Sequence, residues 1–378
     1  MPFKEVSIVM QREEFCRLAL SRGANVRELC RRVGISPQTG YKWLDRYKAA
    51  GVEGLADRSR RPLTSPGQTR NRVETTVLAV RKAHPAWGGR KIRKVLQNQG
   101  LASVPSASTI TAILRRHQLL DGPRAGEKRD WTRFEHPEPN DLWQMDFKGH
   151  VAMEQGRCHP LTVLDDHSRY ALEIGACATE QSDVVKYRLE RVFERYGLPR
   201  RFLTDNGPPW GTSGSGEKHT VLTVWLLDLG IDICHGRAYH PQTQGKEERF
   251  HRSLKGEVLS GRTFANLRQV QKAFDQWRRV YNTERPHEGI GMETPATRYK
   301  MSIRPMPRKI DPPSYDGDDQ VRMVQTGGWF SFKGRFFNCS KAFAGRPLAL
   351  RPTSKDGVFD LCYRHYVLDQ IDLIRDCR

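Results

Sequence analysis

The stretch WQMDFKG (143–149) decides how the centre of this 378-residue chain is read. Its bulky residues alternate with polar ones, so Trp143, Met145 and Phe147 share one face of an extended segment and Gln144, Asp146 and Lys148 the other. The pattern predicts a strand packed on a core, with an acid at its middle. Outward from it, HPLTVLDDHSRYALEIGA (159–176) reads as two strands joined at Asp165 to Ser168. SDVVKYRLERVFERYG (182–197) has helical periodicity and stops at Gly197 ahead of Pro199. RFLTD (201–205) is a short strand, 219–230 a helix, 231–235 another strand, and helices follow over about 244–259 and 265–282. The order β-β-β-α-β-α-β-α-α predicts a mixed α/β layer with a sheet covered on both sides.

Before this region the chain is helical and basic. Of a formal net charge of +20, residues 1–135 contribute most, with 27 basic and 12 acidic residues. Such an excess points to a polyanionic partner, and nucleic acid is the commonest. Helical segments over 11–22 and 25–33 lead into GISPQTGYKWLDRYK, where Gly34 allows a tight turn, Ser36 can cap and Pro37 suits a first helical position. This is a helix-turn-helix pattern offering Gln38, Thr39, Tyr41 and Lys42 outward, with Trp43, Leu44 and Tyr47 on the core side. An ordinary three-helix bundle gives the same periodicity, and the charge favours DNA binding. The linker DRSRRPLTSPGQTR (57–70) either lies along phosphates through Arg58, Arg60 and Arg61 or is a solvated tether. A second helical set over 73–84, 88–99 and 106–117 looks like another helix-turn-helix, with Ser106 as cap and Ser108, Thr109, Thr111, Arg115 and Arg116 on its last helix.

Past Pro305 the sequence turns β-rich, punctuated by KGR and KDG, as in a small barrel or an open sheet. It contacts DNA, contacts a partner or serves as scaffold. The expected division is therefore a helix-turn-helix domain at 1–56, a linker at 57–70, a second helix-turn-helix at 71–122, a linker at 123–136, an α/β core at 137–300 and a β-rich domain at 301–378. The eight cysteines show no CxxC pair and no zinc spacing, which argues for reduced thiols in a cytosolic chain. No apolar run is long enough for a membrane span, and the first residues lack a signal-peptide core.

The chemistry rests on three acids. Asp146 sits mid-strand, Asp205 ends a strand before NGPPW, and the helix of QGKEERFHRSLKGE (244–257) opens with Glu247 and Glu248. An Asp before Asn-Gly is ordinarily a turn former, and a mixed-charge run is ordinarily a solvated helix. Acids at a central strand, an adjacent strand end and a following helix can instead converge above a sheet. Like charges so placed are unfavourable unless a cation relieves them, and Mg²⁺ suits carboxylates that leave room for phosphate oxygens. On a helical projection Glu247 lies on the apolar stripe of Phe250, Leu254 and Val258, while Glu248 lies with His251, Arg252 and Lys255 on the polar flank. Glu248 is accordingly the ligand candidate. Because burying a second acid is costly, Glu247 is expected at a partly open first turn, where the helix dipole favours it.

The segments WQMDFKG, DDHSRYAL, LTDNGPPW, HPQTQGKEERFHRSLK and YNTERPH together resemble the catalytic core of bacterial insertion-sequence transposases of the DDE class, relatives of retroviral integrases with an RNase H-like fold. The resemblance covers about 137–300, and the family's two-part helix-turn-helix region covers 1–120. It implies helix-turn-helix modules and an RNase H-like core, and with the β-rich end read as a small C-terminal β-barrel the expected fold is multidomain α+β. It implies that Asp146, Asp205 and Glu248 are the catalytic metal ligands for Mg²⁺ or Mn²⁺, two ions in all. It implies cleavage at element ends by water and attack of the freed 3′-OH on target DNA. The implied partners are double-stranded DNA, as element ends and target, and further copies of the chain in a synaptic complex, in a bacterial cytoplasm in association with the nucleoid. Asp166 and Arg169 match a D.SR hairpin read as structural support. His240, Gln242 and Lys246 either touch DNA or phosphate or cap the loop and helix. Arg252 and Lys255 are further DNA-contact candidates. Tyr281, Asn282, Arg285, Pro286 and His287 resemble a helix-end motif read as packing.

Two departures stand out. Asp205 and Glu248 are 43 positions apart, longer than in the family's common form, with the surplus assigned to GTSGSGEK (211–218), and Gln244 stands where Asn is frequent. The rival readings are an integrase or nuclease that does not transpose, and a DNA-binding regulator whose core is inactive.

Overall fold

The computed structural model describes residues 7–59, 67–120, 135–211, 219–235 and 245–374. Arg60, Arg61, His240, Gln242, Gln244, most of the 211–218 loop and nearly all of the 123–136 linker lie outside them. Two compact units divide the chain, Met1–Gln68 and Thr69–Arg378. Among the described residues no helix is long and apolar enough to cross a membrane, and no cysteine is paired.

The first unit contains α1 (Ile8–Ala19), α2 (Val26–Val33) and α3 (Pro37–Ala50). Gly34 takes φ +74° at the end of α2, and Ser36 caps α3 by accepting from the Thr39 amide at 3.2 Å. Phe15, Cys16, Cys30, Trp43, Leu44 and Leu55 form its core. Gly40 is required there, since a Cβ would sit 2.4 Å from Cys30 Sγ. The outer face of α3 exposes Gln38, Tyr41 and Lys42 and half-buries Thr39.

The second unit opens with α4 (Asn71–Ala83), α5 (Gly89–Asn98) and α6 (Ala107–Arg116), packed on Val77, Trp87, Ile92, Leu96, Ile110, Ile113 and Leu114. Ser106 caps α6 by accepting from the Thr109 amide at 3.1 Å. Ser108, Thr109, Arg115 and Arg116 are exposed, though Arg116 and His117 both reach Glu74 and hold its carboxyl below the usual range through their hydrogen bonds.

The α/β layer follows. Its strands are β1 (Leu142–Phe147), β2 (Val151–Ala152), β3 (Arg157–Asp165), β4 (Ala171–Cys177), β5 (Arg201–Thr204) and β6 (Asp232–His235). The sheet runs β4-β3-β1-β5-β6, with β2 on the first residues of β3. β3 is antiparallel to β1 and β4, and β5 is parallel to β1 and β6. Its helices are α7 (Ser182–Tyr196), α8 (Val221–Asp228), α9 (Gly245–Leu254), which continues through a wider π turn, α10 (Leu267–Thr283) and the short α11 (Pro295–Arg298). One face of the sheet packs Trp143, Met145, Leu161, Val163 and Leu172 under α7 and α8. The other packs Leu164, Ala171, Ile174 and Ala176 under Phe250, Leu254, Phe274 and Trp277 of α9 and α10. Burial of both faces makes β1 a central strand, so even Gln144, on its polar side, is 1% exposed.

The second helix-turn-helix is seated on the end of α10. Lys94 Nζ lies 2.7 Å from Glu293 Oε1, Arg90 Nη1 lies 3.3 Å from Glu288 Oε2, and Val280 packs against the module's core. Burial, and then the nearby Arg285 guanidinium, brings the Lys91 amine down to about 8.

β7 (Gln320–Met323), β10 (Pro347–Pro352), β11 (Val358–Tyr363) and β12 (Tyr366–Asp372) form a four-stranded antiparallel sheet in the order β12-β11-β10-β7, and β8 (Trp329–Phe332) pairs with β9 (Arg335–Asn338) in a separate hairpin. The small barrel expected here is not found: among the described residues the end strands β7 and β12 do not pair, and the sheet is open. The sheet docks on α8, whose residues Leu222 to Leu227 are all buried. Val224 and Leu227 join Phe330, Phe343, Leu348 and Phe359 in one core. Asp228, at the end of α8, accepts from Tyr363 Oη at 2.6 Å and Arg364 Nε at 3.1 Å and pairs with Arg346.

A segment following α11 straps the core from outside. Arg304 donates to the carbonyls of Pro199 (2.6 Å), Leu229 (3.1 Å) and Gly230 (2.7 Å), and its own carbonyl accepts from the Leu198 amide at 2.7 Å. Gly197, at φ +78°, admits the strap because a Cβ there would lie 2.7 Å from the Arg304 carbonyl oxygen. Arg304→Ala removes three charge-assisted bonds to helix and loop ends and is expected to destabilise the second unit by about 2–4 kcal/mol. Urea unfolding measures it, and a loss below about 0.5 kcal/mol, within the range of ordinary surface substitutions, would show that the strap is not a structural tie.

Candidate active site

Asp146 stands near the C-terminal end of β1 with its side chain 23% exposed. Burial, and then the negative charge of Asp205, pushes its carboxyl up to about 7. Asp205 follows β5 directly and is exposed. Its Oδ1 accepts from the Gly207 amide at 3.0 Å and from the Trp210 indole, so the NGPPW turn orients the acid as well as ending the strand. Parallel pairing of β1 with β5 brings the ends of these two strands side by side.

The helix supplies two glutamates with opposite surroundings. Glu248 is exposed on the first turn of α9, and among the described residues it makes no hydrogen bond or ion pair. Glu247, by contrast, is 1% exposed. The expectation that it would occupy an open turn is therefore corrected: the apolar stripe of α9 is pressed onto the sheet from its first turn. Burial, with Asp146 nearby, raises the Glu247 carboxyl well above its usual range. A neutral acid can be buried at far lower cost than an ionised one. Its Oε2 accepts from Thr162 Oγ1 at 3.1 Å, and its Oε1 has no hydrogen-bond partner.

Sequence reasoning did not assign Thr162 to this site, and it set His251 on the polar flank with Glu248, whereas the ring is turned inward with its side chain 14% exposed. Thr162 is the cross-strand neighbour of Asp146, and its hydroxyl lies 3.0 Å from the Asp146 carbonyl and 2.8 Å from His251 Nε2. His251 Nδ1 is 3.9 Å from Asp146 Oδ2 and its Nε2 is 3.5 Å from Glu247 Oε2. These are contacts of a neutral ring, because burial, and then Lys148, lowers the imidazole to about 4. A histidine one turn beyond a paired Glu on the same helix was the available signal; the threonine had none.

The remaining predicted residues fall in different places. Lys246 points inward, with its side chain 16% exposed and paired with Asp166. Burial, and then Arg169, lowers its amine to about 8. Arg252 and Lys255 are exposed farther along α9 and its π turn. Asn282 bonds both the amide and the carbonyl of Ala171 (2.8 and 2.9 Å), Arg285 pairs with Glu257 at 3.0 Å, and Tyr281 packs on Phe250. Burial brings His287 down to about 3.

Among the described residues no three His, Cys, Asp or Glu side chains stand close enough to hold a metal ion in this arrangement. The donor chemistry nevertheless fits a hard cation. Two carboxylates repel each other at the strand ends, a third is exposed on the adjoining helix, and a buried carboxyl oxygen beside them lacks a partner.

Family models agree with this architecture. Two models described as integrase core domain match residues 136–241 and 229–295, a helix-turn-helix domain model matches 11–62, and a homeodomain-like model matches 39–114. The model of the IS481 family transposase C-terminal domain matches 319–376. Similar proteins include the insertion element IS476 uncharacterized 39.2 kDa protein of Xanthomonas euvesicatoria, 24% identical over 73% of this chain and 78% of that protein. The insertion element IS407 uncharacterized 31.7 kDa protein of Burkholderia multivorans is 24% identical over 59% of this chain and 80% of that protein. The Gag-Pol polyprotein of avian reticuloendotheliosis virus is 27% identical over 44% of this chain, a match to 16% of the polyprotein. Among solved structures, the simian T-cell lymphotropic virus intasome in complex with a PP2A regulatory subunit aligns with TM-score 0.38 and 16% identity, over 74% of this chain and 94% of that one. Helix-turn-helix modules, an integrase core and an IS481-type transposase C-terminal domain thus follow one another in one chain, the domain set of an insertion-sequence transposase of the DDE class, and the core is similar to retroviral Pol sequences.

Proposed function

We propose that this protein binds the ends of a mobile DNA element, cleaves them, and joins the 3′-OH ends to target DNA. In the first step a water oxygen attacks the phosphorus at the element end, and the bond to the 3′ oxygen breaks to leave a 3′-OH. In the second that hydroxyl attacks a target phosphodiester and displaces the target's own 3′ oxygen. The observation that carries this reading is the pairing of Asp146 with Asp205 at adjacent strand ends inside a strongly basic chain. Asp146, Asp205 and Glu248 would hold Mg²⁺ or Mn²⁺, as two ions. Such ions supply Lewis acidity and charge neutralisation for in-line phosphoryl transfer. The chain's own residues orient the acids: the NGPPW turn fixes Asp205, and α9 carries Glu248 on its exposed side. The two helix-turn-helix modules would read the element ends, with Gln38, Thr39, Lys42, Ser108, Thr109, Arg115 and Arg116 as contacts and Arg58, Arg60 and Arg61 on the backbone. Arg252 and Lys255 would meet phosphates near the acids. Holding two ends together calls for at least two copies of the chain.

Strand transfer of a labelled end oligonucleotide into plasmid DNA tests the reading. Asp146→Asn, Asp205→Asn and Glu248→Gln are each expected to abolish cutting and joining while end binding stays within about twofold of wild type. Glu247→Gln keeps a neutral side chain in the same space and is expected to retain joining. The reverse pattern, with Glu247→Gln dead and Glu248→Gln active, would transfer the third ligand to Glu247. Cutting without joining by the wild-type chain would instead make it a nuclease, and neither would leave a regulator.

A second expectation concerns stability without metal. Because the folded-state carboxyl of Asp146 titrates near 7 and that of an unfolded aspartate near 4, stability is lost as pH rises through this window and stays lost above it. Asp146→Asn removes the charged form, so in EDTA at pH 8 it should stabilise the protein by about 1–3 kcal/mol, a gain that shrinks toward pH 4. Urea unfolding at both pH values reads this, and destabilisation at pH 8 would mean that the carboxylate is not under electrostatic stress.

For the end-reading modules, Lys42→Ala and Arg115→Ala should each weaken end binding. Where the contact is to phosphate, the slope of log K against log salt becomes shallower by about one. An unchanged affinity would remove that residue from the interface.

A further inference from the structure

Between the acids lies an ion pair that none of the chemistry above uses. Asp166, one residue past β3, has a side chain with no solvent exposure. Its Oδ1 accepts from Gln144 Nε2 at 2.7 Å and from Lys246 Nζ, and its Oδ2 accepts from the His136 amide at 2.9 Å. Arg169, at φ +66°, folds back to donate to the Asp166 carbonyl at 2.5 Å and reaches Glu135 at 3.4 Å. Gln144 is two residues before Asp146 on β1, and Lys246 is two before Glu248 on α9. A single buried carboxylate thus ties the strand of the first acid to the opening turn of the helix bearing the third. Among the described residues the first turn of α9 has two side-chain ties to the sheet region, Glu247 to Thr162 of β3 and Lys246 to Asp166, and the second leads through Gln144 to β1.

We propose that Lys246 and Asp166 are positioning residues, whose pairing fixes the first turn of α9 over β1 and so sets Glu248 against Asp146 for metal binding. Lys246 on this account is not a DNA contact. The inference rests on the ligand set proposed above. A pair whose carboxylate is fully buried and held by further hydrogen bonds from Gln144 and His136 is suited to this role, because removing one partner strands the other charge away from water.

Mn²⁺ binding to the full chain, followed by the loss of the free-ion electron paramagnetic resonance signal, tests it without requiring activity. Lys246→Met and Asp166→Asn are each expected to weaken Mn²⁺ binding about tenfold, the scale seen when a residue supporting a metal ligand is lost. The double variant should be no worse than the weaker single, since both remove the same tie. Lys246→Arg should recover part of the loss. End-DNA affinity and its salt slope, measured in EDTA, should match wild type in all four. Unchanged Mn²⁺ affinity in Lys246→Met overturns the proposal, as does a salt slope shallower by about one, which would make Lys246 a phosphate contact. Glu248→Gln is the control for the underlying reading: if it binds Mn²⁺ as well as wild type, the ligand assignment has failed and the positioning role falls with it. If Glu248→Gln loses Mn²⁺ and Lys246→Met does not, only the positioning role fails. Should Asp166→Asn fail to fold, Lys246→Met and Lys246→Arg, which leave the buried carboxylate in place, decide alone.

Discussion

A carboxylate on a strand buried from both sides is the constraint around which the second unit is organised. Asp146 faces a second carboxylate at Asp205 and a third carboxyl at Glu247, and burial with the neighbouring negative charge disfavours the charged forms of Asp146 and Glu247. An ordinary fold would dissipate this by exposing one acid or pairing it with a lysine or arginine. Here, among the described residues, several neighbouring cations are engaged by other acids: Lys246 by Asp166, Arg285 by Glu257, and Arg188 and Arg278 by Glu173. His251, 3.9 Å from Asp146, is neutral. The concentration of negative potential is preserved, and a divalent cation is what would relieve it.

Preserving such a site costs stability, and the surrounding structure offsets it. α8 lies between the sheet and the C-terminal domain, apolar all round and buried on both sides. Arg304 closes the end of this layer by bonding three carbonyls at once, and Asp228 anchors Arg346, Tyr363 and Arg364 on the opposite side. These ties lie away from the acids. The strained part of the core is therefore held by parts that do no chemistry.

The strand of Asp146, the hairpin, both helix-turn-helix modules and the covering helices were legible because each depends on local periodicity or on a cap such as Ser36 or Ser106. Asp205 was legible for the same reason, as the residue at which a strand meets a turn. The state of Glu247 was not. Helical projection placed it on the apolar stripe, yet the general cost of burying an acid argued for an open turn. What permits burial is Thr162, 85 positions earlier, together with neutralisation of the carboxyl in that environment. Likewise the inward turn of Lys246 depends on Asp166, 80 positions away. From sequence such a lysine is open between a phosphate contact and a loop or helix cap, and its ion pair with a distant acid has no local signal. The β character of the C-terminal region was legible from its strand patterns and its KGR and KDG turns, but the expected barrel closure depends on whether the end strands meet, which no local pattern encodes.

The seating of the second helix-turn-helix bears on how recognition and chemistry are joined. Individually, Arg90 with Glu288 and Lys94 with Glu293 are surface pairs of small worth. Together with the half-buried Lys91 and the packing of Val280 on the module's core they define one orientation of α5 against the end of α10. α10 in turn packs on β4 and on Phe250 of α9, next to Glu247. The module is thus coupled to the acids through packed elements and not only through the 123–136 linker. If DNA lies on α6, where Ser108, Thr109 and Arg115 are exposed, the offset between the bases read and the phosphate attacked is set by this interface within the second unit. Cleavage at a fixed distance from a recognised sequence then follows from packing, without any requirement that the chemistry itself read sequence.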